Sequence, residues 1–113
     1  MGFVKETPAL AAALGAIEGI QRVTRGWPKD FEKLPCAAIT LAGDAPADYR
    51  DDGRRITELE YYIRVFTDQA VQRDGLCDAV DSVMAAHGYE CTFRWEDDSA
   101  DVRQTVMRYR KYC

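Results

Sequence analysis

The chain has 113 residues, 47% hydrophobic and 30% charged. That length and balance fit a single folded domain and exclude a disordered or fibrous chain. Its 15 basic and 19 acidic residues leave a net charge of −4, which argues against a protein whose main task is coating nucleic acid.

No apolar run is long enough to cross a membrane. The start, Met1-Gly2-Phe3-Val4-Lys5-Glu6, lacks the apolar core of a signal peptide. Cys36, Cys77, Cys91 and Cys113 are too far apart for a Cys-x-x-Cys pair. The expectation is reduced, mostly buried thiols.

In chain order, Thr7-Pro8 predicts a helix over residues 8–18, with Thr7 as cap and Pro8 at the first helical position. Leu10, Leu14 and Ile17 form its core stripe. The rest is Ala and Gly with one acid, Glu18, so the helix is expected to be covered on more than one side, by its own domain or by a neighbouring subunit. A short first strand is expected over 20–27, ended by Trp27-Pro28. A second runs over 36–42 after Pro35, centred on Ile39 and Leu41. Gly43 to Gly53, rich in Gly, Asp and Pro, reads as a long loop.

The strongest signal is the strand from Arg54 to Thr67. Leu59, Tyr61, Ile63 and Val65 alternate with Glu58, Glu60, Tyr62 and Arg64, the period of two of a half-buried strand. It is long for a small sheet. A helix follows over 69–86, capped by Asp68, with Leu76, Val80, Val83, Met84 and His87 inward and Gly88 as its stop. Tyr89, Cys91, Phe93 and Trp95 predict a fourth strand with a clean inner face, and 102–112 a fifth. Ile63, Val65, Val80, Met84, Phe93 and Trp95 are expected to pack together. The fold class is therefore α+β, one domain over 1–113 in the order α-β-β-β-α-β-β. The sheet should be mainly antiparallel, with the helices on one face.

The residues spell out no chemistry. Asp48, Asp52 and Gly53 mimic part of a calcium loop, but Arg50 falls on a ligand position and Leu59 on that of the closing carboxylate. Glu96, Asp97, Asp98 and Asp101 fall in an exposed turn, where nothing separates their pKa values for acid–base work. His87 is the sole histidine, so no triad or two-histidine metal site is available. No catalytic, cofactor or metal residue is assigned. Arg103, Arg108, Arg110 and Lys111 alternate with Tyr109 and Tyr112. Such a strand suits a charged sheet edge or a surface for single-stranded nucleic acid.

An Ala-rich helix leads into Gly-Trp-Pro-Lys-Asp-Phe-Glu-Lys-Leu-Pro-Cys-Ala-Ala-Ile-Thr-Leu, then a Gly/Asp/Pro loop. The strand Glu-Leu-Glu-Tyr-Tyr-Ile-Arg-Val-Phe-Thr follows, then a helix and a closing hairpin. In size and element order this resembles the small tail-completion or tail-terminator proteins of tailed phages and prophages. The resemblance implies a non-enzymatic, cofactor-free virion protein assembled in the host cytoplasm. It would form a ring, typically six-fold, capping the tail tube and meeting the head connector. Its partners would be identical subunits, tube and connector, with no membrane and no specific nucleic acid. The expected contacts pair the acids of the 44–52 loop (site residues Asp44, Asp48, Tyr49, Arg50, Asp51 and Asp52) and of the 96–101 turn with the bases Arg103, Arg108 and Arg110. The alternatives are a small ligand- or nucleic-acid-binding module using the last strand, and a small enzyme with a thiol nucleophile.

Overall fold

The computed structural model describes residues 6–49, 55–68, 70–97 and 102–112. Helix α1 spans Glu6–Gly15. Strands β1 (Arg22–Arg25), β2 (Cys36–Tyr49) and β3 (Arg55–Thr67) follow, then helix α2 (Ala70–Ala86), β4 (Glu90–Asp97) and β5 (Arg103–Tyr112). One five-stranded sheet has the order β1-β2-β3-β5-β4.

β3 is central, as its alternation demands. It pairs antiparallel with β2 and with β5. Leu59, Tyr61, Ile63 and Val65 are all buried, against Leu10 and Leu14 of α1 and Leu76, Val80 and Met84 of α2. Both helices thus cover one face. α2 closes as its sequence predicts. Gly88 takes φ 89°, its N–H reaches Ala85 O and that of Tyr89 reaches Met84 O, both at 3.0 Å. This is a Schellman stop, which needs a left-handed residue.

Several expectations are corrected. α1 begins at Glu6, so Thr7 lies inside the helix, where its hydroxyl meets the Tyr61 hydroxyl at 2.6 Å. α1 is also covered on one side only: Pro8, Ala9, Ala12 and Gly15 are exposed. Strand β1 runs parallel to β2, with Arg22 beside Cys36, so the sheet is mixed. The connection explains this. After Gly26 (φ 84°), residues 27–35 run back across the face opposite the helices. They pack Phe31 and Leu34 on Cys36, Ala38 and Phe66 and return the chain to the starting end of β1.

The stretch Gly43–Tyr49 is strand rather than loop. β3 is long enough to template it, and two register shifts, Leu41/Gly43 and Pro46/Asp48, absorb the irregular residues. Arg50, Asp51, Asp52 and Gly53 lie outside the described residues. Finally, Phe93 and Trp95 do not join the core: both are exposed. The register of β4 on β5 shifts between Cys91 and Phe93. That one-residue bulge moves every later side chain to the other face.

Candidate interaction surface

The face opposite the helices is set by the even positions of β3. Directly opposed residues of neighbouring strands share a face, so Tyr62 and Arg64 lie with Arg108 and Val106 of β5. Past the bulge, Phe93 opposes Arg108 and Trp95 opposes Val106. Arg94 and Glu96 turn instead toward α2, where they meet Asp74 and Arg73 at 4.0 and 3.2 Å.

An unbroken run of rings and one cation results. Arg64 Cζ lies 5.7 Å from the Trp27 ring and 5.5 Å from that of Tyr62, within cation–π range of both. The Tyr62 and Trp95 centroids are 6.4 Å apart, and those of Trp95 and Phe93 5.0 Å, each pair edge to face. Behind Trp27, Phe66 is 5.3 Å away and Phe31 a further 5.0 Å. Trp27 is 61% exposed, Phe93 56% and Trp95 39%. Burying such rings is favourable, so a contiguous exposed set marks an interaction site.

The expected contact residues that the structure describes lie on two strands. Asp44, Asp48 and Tyr49 lie on the outer half of β2. Arg103 opposes Thr67 at the other end of β3. Arg108 faces Glu60 at 3.8 Å and donates from Nε to the Thr92 hydroxyl at 3.1 Å. Arg110 pairs with Glu90 at 2.6 Å. Strand β5 lies between β3 and β4 rather than at an edge, so Arg108 and Arg110 meet acids of the neighbouring strands. The ladder residues Trp27, Tyr62, Arg64, Phe93 and Trp95 carried no site expectation; for Phe93 and Trp95 the reason is that a bulge of one residue leaves no periodic mark.

The thiols Cys36 and Cys77 are buried, and burial pushes both up from their ordinary pKa. Desolvation raises Cys91 as well. A nucleophilic thiol needs the opposite shift. On the helix side, burial pushes the Glu6 carboxyl up, but hydrogen bonds from the Tyr89 hydroxyl at 2.8 Å and Lys111 Nζ at 3.0 Å outweigh it. They hold that group below the usual carboxylate value. This cluster ties α1 to the sheet. Among the described residues no group of three His, Cys, Asp or Glu could hold a metal ion, and no helix is long and apolar enough to cross a membrane.

The chain is similar to a solved chain from the virion of a native gene transfer agent (GTA) particle. They share 17% identity at a TM-score of 0.45, and the match covers 91% of this chain and 82% of that one. No family model and no curated protein matches the sequence.

Proposed function

We propose that this chain is a structural, non-enzymatic subunit of a phage-type virion. It assembles with identical copies into a closed ring that caps the tail tube and joins it to the head connector. One observation carries the reading: among the described residues, β2 and β3 pair on beyond the rest of the sheet. Pairing of β3 with β5 ends at Glu58 opposite Tyr112, and pairing of β2 with β1 ends at Ile39, yet β2 and β3 pair on to Tyr49 and Arg55. The stretch beyond both, Pro46 to Tyr49 against Arg55 to Thr57, spans about 14 Å at the usual rise per residue. The molecule is 51 Å long against 24 and 23 Å across.

An isolated two-stranded ribbon is marginal in water. It becomes worth building when another surface holds it, and a neighbouring subunit or the tube supplies such a surface. A contact between this ribbon and a different patch of the next copy is heterologous, and it closes into a ring when the rotation permits. The resemblance in element order to tail-terminator proteins gives the same reading from the sequence side. The alternative, nucleic-acid binding through β5, is less favoured, because Arg108 and Arg110 already face Glu60 and Glu90.

The test is sedimentation velocity and native mass spectrometry of the full chain across concentration, alone and with tail tubes lacking this protein. A closed oligomer, formed alone or on tubes, is expected. A protein that stays monomeric and does not sediment with tubes would overturn the assignment.

A further inference from the structure

We propose that the ring–cation ladder of Trp27, Arg64, Tyr62, Trp95 and Phe93 is the seat for helix α1 of a second copy of this chain. The inference rests on the ring reading above and adds a second contact between neighbouring copies to that of the ribbon.

Three observations select that occupant. The first is area. At their exposures of 61%, 56% and 39%, Trp27, Phe93 and Trp95 present roughly 350 Å² of ring surface. That approaches half of the ~800 Å² each partner contributes to a standard interface, and the half-buried Tyr62, Arg64 and Arg108 adjoin it. The second is shape. The exposed side of α1 is Pro8, Ala9, Ala12 and Gly15, continued by exposed Ala16. These residues fall on one side of a helix of 3.6 residues per turn, and none projects far enough to keep a flat row of rings away.

The third is charge. Arg64 is held between two aromatic rings and has no carboxylate partner among the described residues. Glu18, exposed just past the end of α1, likewise has no cationic partner among them. Seating α1 with its last turn toward Arg64 places Glu18, three residues past Gly15, beside that guanidinium.

The two surfaces lie on opposite faces of the sheet. A copy seated on the ladder therefore leaves its own ladder open for the next one. That is the heterologous, propagating contact a ring requires, not the self-complementary contact of a two-fold dimer.

The experiment measures association by sedimentation equilibrium, with thermal melting by circular dichroism as the folding control. Trp95→Ala, Ala12→Arg and Arg64→Glu should each weaken association about tenfold or more while the dilute chain melts as before. The double variant Glu18→Arg with Arg64→Glu should recover most of the loss from Arg64→Glu. If wild type assembles and Ala12→Arg and Trp95→Ala assemble equally well, the seat is wrong and the ring reading stands. If wild type neither self-associates nor binds tubes, both fail. A fluorescent oligothymidylate supplies the other arm, since exposed rings beside an arginine also suit single-stranded nucleic acid. Binding abolished by Trp95→Ala, with assembly untouched, would overturn the proposal in favour of that ligand.

Discussion

Replacing Ile63 with alanine probes the centre of the fold. Ile63 is fully buried on β3, opposite Ile39 of β2 and Met107 of β5. The change removes three carbons, worth about 2.4 kcal/mol of transfer free energy at ~0.8 kcal/mol each. Strand ladders hold the neighbours on both sides, so the void closes poorly and the cavity adds to the loss. The expected cost is about 3–4 kcal/mol, inside the usual range for such truncations. A 113-residue chain has a total stability on the order of 6–17 kcal/mol, so the variant folds but with a much lower urea midpoint and an unchanged slope. The measurement belongs at low protein concentration, where self-association adds no stability by mass action. Phe93→Ala is the internal control: its ring is exposed, and its loss should stay below about 1 kcal/mol. A loss under about 1 kcal/mol for Ile63→Ala, or over about 2 kcal/mol for Phe93→Ala, would refute the placement of the core.

Gly75 lies inside α2, where an added Cβ meets nothing within 4 Å; Gly75→Ala should stabilise the chain by about 0.5–1 kcal/mol in the same urea assay. Tyr109 is buried and donates its hydroxyl to Asp81 at 2.9 Å, and burial together with that carboxylate pushes its phenol well above the usual value. Its folded pKa exceeds the unfolded ~10, so its stabilisation is intact below about pH 10 and lost as pH rises further; Tyr109→Phe should flatten the alkaline fall of the urea midpoint. Replacing residues 46–57 with Asn-Gly joins Ala45 to Glu58, opposed in register, through a favoured two-residue hairpin. That variant should melt near the wild-type temperature yet lose ring assembly, and retained assembly would detach the ribbon from the function.

The legible parts of the fold are those where local pattern and tertiary role agree. The alternation from Leu59 to Val65 names the buried face of β3, and Gly88 marks the end of α2, because each residue's own geometry carries the information. The parallel run of β1 was not legible. Its direction depends on residues 27–35 packing over Phe66, a contact between segments distant in sequence. Gly43–Tyr49 misled for a related reason. Gly, Asp and Pro favour turns on their own, but β3 offers a backbone partner that outweighs the preference, at the cost of two register shifts. The candidate surface was the least legible of all, since all five of its residues read as core, strand or punctuation.

The bulge in β4 links these points. With unbroken alternation Phe93 and Trp95 would follow Cys91 onto the helix-covered face, where α2 already places Leu76, Val80 and Met84. The extra residue sends them to the opposite face, and the same step turns Arg94 and Glu96 toward Asp74 and Arg73 of α2. The ion pairs that fasten the edge strand to the helix and the rings left open to a partner therefore share one cause. A strand that had to serve only its own core would not need the shift, and the aromatic side chains it exposes are those that burial against another surface would stabilise most.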